Sequence, residues 1–174
     1  MDAGLLVLRL VVGLLIAGHG VQKVSFRLGG NGLAGGTEEF RHDGFRGGRL
    51  TAVVAGASQI GSGLFLAAGL LTPMAAMAAM GVMTVAGTVK WPKGLWVQND
   101  GYEYPLVLVA ASAALALTGP GRWSVDHALT VTPWPVWVCV AAVIVGPVSG
   151  LLTRVVLHRP TLAGQGTRYA KAAD

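Results

Sequence analysis

The first apolar stretch constrains the fold more than any other part of the chain. Residues 3–21 read AGLLVLRLVVGLLIAGHGV and are followed at once by Gln22 and Lys23. A helix over this stretch would be about 29 Å long, close to the hydrocarbon thickness of a bilayer. The stretch nevertheless contains Arg9 and His19. Because an unsatisfied polar group in lipid is costly, both side chains require partners within the protein or a route to water.

The composition places the chain among membrane proteins. Hydrophobic residues make up 53% of its 174 residues and charged residues only 12%, whereas a soluble domain has roughly 25% charged residues. The net charge of +5 comes from basic residues that lie mostly between the apolar segments. This placement indicates contact with the lipid bilayer and its anionic headgroups, and it argues against nucleic acid as a partner. The single cysteine, Cys139, excludes an intramolecular disulfide.

Five apolar segments predict an all-α membrane protein: a four-helix transmembrane bundle plus a fifth C-terminal transmembrane helix. The core is expected over residues 1–129, with spans at about 3–21, 51–71, 74–89 and 104–117. Residues 130–174 are expected to form the fifth span, at about 136–157, and a basic cytoplasmic tail. The first segment lacks a basic start and an A-x-A site, so we expect a retained helix rather than a cleaved signal.

Two of the predicted spans carry small residues on one side. On the first, Gly13 and Gly20 lie within about 40° of Arg9 on a helical wheel, which is typical of a face packed against another helix. Arg9 itself snorkels to the headgroups, pairs with Glu103 or has a structural role. Its distance along the helix from His19 and Lys23 favours a structural or snorkelling residue. On the second span, glycines and alanines surround Gln59. The simplest interpretation of this amide is a hydrogen bond between helices.

The connections contain local signals of their own. Within residues 24–50, Thr37 is predicted to cap a short helix that ends at residue 42 or 43, before Gly44. At the junction of the second and third spans, Thr72 is predicted as the N-cap and Pro73 as the first helical residue. A junction this tight makes the two spans antiparallel.

The basic residues predict an orientation in the membrane. With five spans, the first and third connections and the tail share one side, which then holds eleven lysines and arginines. The opposite side holds Arg122, and Arg9 lies within a span. The positive-inside rule therefore places the N-terminus outside and the C-terminus in the cytoplasm.

Four sequence pieces occur in order along the chain: RL…GLxxAGHGxQK at 9–23, LAAGLLTP at 66–73, GYEYP at 101–105 and TGPGRWSVD at 118–126. With them, residues 3–129 resemble the DoxX family of small bacterial integral membrane proteins. The family-motif positions are Gly20, Pro105, Gly119, Pro120, Gly121, Arg122 and Asp126. The resemblance implies a four-helix bundle in the bacterial plasma (inner) membrane. It also implies similarity to the small subunit of thiosulfate:quinone oxidoreductase, with partners among thiol-handling or superoxide-detoxifying enzymes.

Two departures from the family pattern bear on function. Relatives commonly have a glutamate in an A-E-x-x-G-G pattern on the second helix, where this chain has SQIGSG at 58–63. Gln59 cannot relay protons as that carboxylate would. The fifth span and the basic tail extend past the family core, and they reverse the side on which the C-terminus ends.

The leading functional hypothesis is a redox-linked, quinone-associated subunit of a membrane oxidoreductase complex. A quinone headgroup needs hydrogen-bond partners near an interface. The candidate polar site consists of His19, Gln22, Lys23, Tyr102, Glu103 and Tyr104. The sequence has no haem-ligand pair, cysteine cluster or flavin motif, so we expect no intrinsic cofactor and no metal site. A bound or diffusible quinone would then act together with a partner redox or detoxifying enzyme.

Two alternatives stay open at this point. The chain would otherwise be a non-catalytic anchor or assembly partner for another enzyme, with its basic loops as the docking surface. The third class is a small-solute transporter, in which five spans per chain would require a homo-oligomer. The sequence assigns no catalytic residue under any of the three hypotheses.

Overall fold

The computed structural model describes residues 1–158 as an all-helical protein. This part of the chain contains no strand, and one β-bridge joins Phe45 to His158. The helices in chain order are α1 (Asp2–Val24), α2 (Gly32–His42), α3 (Arg49–Ala68), α4 (Thr72–Lys90), α5 (Glu103–Thr118), α6 (Val125–Ala128) and α7 (Val136–Leu157). Most of the predicted basic tail, residues 159–174, lies outside the described residues.

Four of these helices are long and apolar enough to cross a membrane: α1, α3, α7, and α4 with the 3₁₀ turn that extends it to Lys93. The bounds of α1, α3, α4 and α7, with α4 taken to Lys90, lie within three residues of four of the predicted spans at each end. The fourth predicted span coincides with α5, which is apolar but has only 16 residues. Large apolar side chains such as Val7, Leu14 and Val155 are exposed, as expected for helices in contact with lipid.

The long helices pack around α4, which contacts α3, α5 and α7. Helix α1 lies along α3 and also touches α5, so that α1, α3, α4 and α5 enclose one apolar core. The fully buried Ile16, Leu66, Met80 and Leu115 contribute one side chain from each of these four helices. Helix α7 packs onto the outside of this core, mainly against α4.

Glycines bring α1 and α3 into close contact, as the small-residue pattern predicts. A Cβ atom on Gly13 would collide with the backbone of Gly63, and a Cβ atom on Gly63 would collide with Gly13 and Ala17. Gly20 and Gly56 meet in the same way further along the two helices. Close backbone approach through small residues is the usual means of helix association in lipid, where lipid tails are as apolar as leucine.

Glycines also bring α4 and α7 into close contact. A Cβ atom on Gly150 would overlap the carbonyl of Gly81, and one on Gly146 would lie 2.8 Å from the carbonyl oxygen of Met77. Helix α4 is therefore held by α3 on one flank and by α7 on another.

The helices alternate in direction, so their ends form two polar faces. On the basic face, Arg46 N donates to Leu157 O at 2.9 Å and joins the start of α3 to the end of α7. On the opposite face, termed the loop face, Arg122 and Asp2 form an ion pair of 2.9 Å between the α5–α6 connection and the start of α1. The basic face also contains α2, which packs on α1 and α3.

The predicted N-cap of the short helix, Thr37, is wrong. The N-cap position of α2 is held by Asn31, six residues earlier, and the helix begins at Gly32. Thr37 lies inside it, and its hydroxyl donates to the carbonyl of Leu33 one turn back instead of capping. The helix does end at His42, shortly before Gly44, whose φ of 79° favours glycine.

The predicted cap of α4 is wrong by one residue. Thr72 is the first residue of the helix, and Leu71 occupies the N-cap position with a φ of 45°. The side chain of Thr72 is therefore not the cap. A carboxylate from the distant α6 supplies it, as described below.

Gly63→Ala tests the α1–α3 contact, because its Cβ atom would collide with the Gly13 backbone, whereas a Cβ atom on Gly61 would meet no other atom within 4 Å. We expect Gly63→Ala to destabilise the bundle by about 1–3 kcal/mol through overpacking. Gly61→Ala, two residues away on the same helix, is expected to be neutral or stabilising by up to about 1 kcal/mol. Thermal unfolding in detergent measures both, and equal melting temperatures for the two variants would contradict the packing.

Candidate functional site

The structure brings together His19 and Tyr104 from the predicted polar site. His19 Nε2 lies 2.9 Å from the hydroxyl of Tyr104, which joins α1 to the first turn of α5. The two rings meet edge to face, with centroids 5.1 Å apart. Both residues are half-buried. This pair confirms that the end of α1 and the start of α5 meet at the basic face.

Three other members of the predicted site support local loop structure. Glu103 accepts a hydrogen bond from Val97 N at 3.0 Å, and Tyr102 stacks on Trp91 with ring centroids 4.7 Å apart. Gln22 Nε2 donates to the carbonyl of Leu28 at 2.7 Å. These contacts hold the turns next to α1 and α5. Tyr102 and Glu103 therefore do not converge on His19, whereas Gln22 also lies within hydrogen-bonding reach of the His19 ring.

Lys23, the remaining member, faces a different part of the basic face. Its ammonium pairs with Glu39 on α2 at 2.9 Å and lies 5.0 Å from the centre of the Phe40 ring. Across from it, Lys90 and Lys93 both bind the carboxylate of Asp100. Hydrogen bonds from these two lysines lower the pKa of Asp100.

These two ion-paired groups flank the mouth of a groove of about 670 Å³. Its floor is α4, including Gly81, Val82 and Val85, and its walls come from α3 and α7. Val54 on α3 lines the groove and is 55% exposed, so the groove opens sideways toward the position of lipid as well as toward the basic face. The volume lies within the range of small-molecule sites.

Gln59 lines the deep end of this groove. It lies near the middle of α3 and is 2% exposed. Its Oε1 atom has no hydrogen-bond partner among the described residues. The hydrogen bond between helices that the sequence suggests is therefore not formed within residues 1–158. Sequence reasoning identified Lys23 and Gln59 but not the groove, because its walls come from helices far apart in the chain.

On the loop face, Arg9 binds backbone carbonyls instead of either predicted partner. Its guanidinium is buried, donates to Pro120 O at 2.7 Å, and also donates to Trp123 O. It therefore neither snorkels to the headgroups nor pairs with Glu103. Gly119 and Gly121 give the loop its course, with φ values of 81° and 79° that favour glycine. Arg9 thus holds the loop formed by TGPGRWSVD.

Asp126 lies at the centre of the loop face and is completely buried. Its carboxylate accepts hydrogen bonds from Leu71 N at 2.7 Å and from Thr72 N at 2.9 Å, which caps α4. It also accepts from the Thr72 hydroxyl at 2.7 Å and from Trp134 Nε1 at 3.1 Å. A negative charge at a helix N-terminus is favourable, so Asp126 ties the α3–α4 turn to the α5–α7 connection.

The other family-motif positions are structural. Arg122 pairs with Asp2, Gly20 allows α1 to approach α3, and Pro105 is buried in the first turn of α5. Within residues 1–158, no group of three or more histidine, cysteine, aspartate or glutamate side chains is arranged to hold a metal ion. The groove on the basic face is thus the candidate site, since the side chains described on the loop face serve to hold the fold together.

Asp126→Asn tests the cap of α4. The amide would present an NH2 donor to groups that all donate, so we expect a loss of about 2–4 kcal/mol of stability. Asp100→Asn is the matched control, because Asp100 is 59% exposed and its ion pairs are worth less than about 1 kcal/mol. Melting temperatures of the two variants in detergent would show the difference, and a loss no greater for Asp126→Asn than for the control would contradict the role of the cap.

Comparison with known proteins places this architecture in a family. The DoxX family model matches residues 4–91, about half of the chain. The match includes α1, α3, α4 and the GHG-x-QK and LLTP pieces, whereas GYEYP and TGPGRWSVD lie beyond it. Neither a curated protein nor a solved structure matches the chain. With its all-helical fold and four helices able to cross a membrane, the chain belongs to the DoxX family of membrane proteins.

Proposed function

We propose that the chain is a quinone-associated subunit of a membrane oxidoreductase complex and that the quinone binds in the groove between α3, α4 and α7. The observation that carries this proposal is the buried Gln59 amide at the deep end of a largely apolar groove: its Oε1 is an unpaired acceptor, which suits a hydroxyl of the reduced quinone, and its NH2 is a donor, which suits a carbonyl of the oxidised form. A quinone combines a small polar headgroup with an apolar tail. The groove offers one buried polar group among apolar walls, which suits such a molecule.

The charges at the mouth favour a neutral ligand. Six charged side chains line the groove, three lysines and three carboxylates: Lys23, Lys90, Lys93, Glu39, Asp43 and Asp100. Their formal charges sum to zero, and most of these side chains form ion pairs with one another. An anionic lipid or a fatty acid would find no excess of positive charge inside the groove. A neutral headgroup needs no compensating positive charge from the groove lining.

The side opening explains how such a ligand would exchange with the bilayer. Leu50 and Val54 on the α3 wall are more than half exposed, as expected for an opening toward lipid tails. An isoprenoid tail would leave through this opening while the headgroup stays inside. The chain would bind and position the quinone, and a partner enzyme would supply or remove the electrons.

Val54→Trp tests quinone binding, because the indole would fill the groove from its α3 wall. We expect the variant purified from native membranes to lose most of the quinone that is extracted with the unmodified protein. Val53→Trp is the matched control, since Val53 is 40% exposed on the same helix but does not line the groove. Lipid extraction with an ultraviolet spectrum measures the quinone. Its absence from the unmodified protein, or equal content in both variants, would contradict the proposal.

The exposed basic face favours the second candidate function, an anchor for another enzyme. Arg27, Arg41, Arg46 and Arg49 are exposed around α2 and the start of α3. Such a surface suits an acidic partner as well as anionic headgroups. An anchor without a quinone would copurify with a stoichiometric enzyme and yet release no quinone on extraction.

We further propose that α5 also crosses the membrane, which gives five spans with the N-terminus outside and the C-terminus in the cytoplasm of a bacterial plasma membrane. At ~1.5 Å per residue α5 is ~24 Å long, and its ends adjoin exposed Trp96 and Trp123. Tryptophan is enriched at both membrane interfaces. The basic face holds eight of the lysines and arginines of residues 1–158, against Arg122 on the loop face.

Cysteine labelling tests this topology in a Cys139→Ala background. We expect Arg122→Cys to react with a membrane-impermeant maleimide in intact cells, because Arg122 is exposed on the face proposed as external. Arg41→Cys on α2 should react only after lysis. Labelling of both positions in intact cells, or the reverse pattern, would contradict the proposed orientation.

A further inference from the structure

Four buried side-chain atoms have no hydrogen-bond partner among the described residues: Arg9 Nε, Gln59 Oε1, Ser112 Oγ and Arg154 Nη1. Of these four residues, Gln59 is the one that lines the groove. Ser62, a hydroxyl on the same helix, donates to the main-chain carbonyl of Gln59 at 3.4 Å and not to its side chain. The side-chain oxygen is left unpaired among the described residues. Buried polar groups in folded proteins are almost always paired, because an unpaired one loses its hydration without compensation. Gln59 lines the groove but its Oε1 atom is almost fully covered, so a rotation of the amide would be needed to present this oxygen to a molecule in the groove.

We infer that Gln59 binds the quinone headgroup directly and that its amide accepts both redox forms of the ligand without exchanging a proton with either. This inference rests on the proposed function. A carboxamide carries an acceptor oxygen and a donor NH2 on one carbon, and a half-turn of the group exchanges their positions. The NH2 donates to a carbonyl of the oxidised form, and the oxygen accepts from a hydroxyl of the reduced form. No bond to hydrogen is broken in either case.

The surroundings of Gln59 support a binding role over a structural one. Helix α3 associates with α1 through glycines, so the contact between these helices does not depend on the amide. The charged side chains that line the groove come from α1, α2, α4 and the adjoining connections, at the mouth. The part of α7 that lines it contributes Ser149, Gly150, Thr153 and Leu157, which are uncharged. Gln59 is therefore the buried polar group available to a headgroup at the deep end.

The test measures binding of decylubiquinone and decylubiquinol to the purified full-length chain in nanodiscs by titration calorimetry. We expect the unmodified protein to bind both forms with affinities within about threefold of each other, since each makes one hydrogen bond to the same amide. Gln59→Leu should weaken both by about tenfold. The ligand-free variant should melt at the same or a higher temperature, because a buried unpaired group has been removed. Ser62→Ala, a nearby buried change outside the groove lining, should leave both affinities unchanged.

Gln59→Glu adds a second, independent measurement. The introduced carboxylate only accepts hydrogen bonds when ionised, and it donates one when protonated. Decylubiquinone binding to this variant should therefore weaken as pH rises, relative to the unmodified protein measured in parallel. The charged groups at the mouth are the same in both chains, so their own titration cancels in the ratio of affinities. A ratio that does not change with pH would overturn the direct contact.

The outcomes separate this inference from the proposed function. If neither form of the probe binds the unmodified protein, both are overturned. A second outcome is that both forms bind, that Val54→Trp abolishes binding and that Gln59→Leu has no effect. In that case binding in the groove is supported and the role of Gln59 is overturned. A fall in melting temperature of ligand-free Gln59→Leu, with unchanged affinity in the folded fraction, would make the amide structural and would also overturn the inference.

Discussion

The carboxylate of Asp126 is the interaction on which the arrangement of the helices depends. It caps α4, the helix that all the other long helices except α1 pack against, and it does so from a segment more than fifty residues away. Arg9 fixes the same segment from α1 by binding the carbonyls of Pro120 and Trp123. Because both side chains are buried and bonded, they set the position of α4 relative to α1.

The groove results from how the glycine contacts are distributed. Helix α3 presents Gly56 and Gly63 to α1, and α7 presents Gly146 and Gly150 to α4. Glycine contacts bring backbones close, so these two interfaces have no room for a ligand. Between α3 and α7, which are both attached to neighbours elsewhere, larger spacing remains over α4. The positions of the glycines therefore determine which pairs of helices pack closely and, as a consequence, where the groove remains between helices.

The sequence predicts the fold well but the site only in part, and the reason is physical. Helix positions and the α1–α3 face could be predicted because hydrophobicity and glycine spacing are local periodic signals. The partners of Arg9 could not be predicted, because they are main-chain carbonyls and every residue has one. Of the six predicted site residues, His19, Tyr104 and Gln22 lie together, with His19 in contact with both of the others. The Trp96–Glu103 turn redirects Glu103 to Val97 N, and no periodic pattern encodes that turn.

The contrast between the two faces locates function at the groove. On the loop face, Asp126 is completely buried and accepts four hydrogen bonds from within the protein, so its role is structural. On the basic face, the ion pairs are partly exposed and therefore weak enough to rearrange around an entering molecule. Below them lies Gln59, whose unpaired oxygen makes the ligand-free groove less stable than it would be with an apolar residue there. A protein that keeps such a group in its interior bears a cost in stability, and the binding of a hydrogen-bonding headgroup is the event that would offset it.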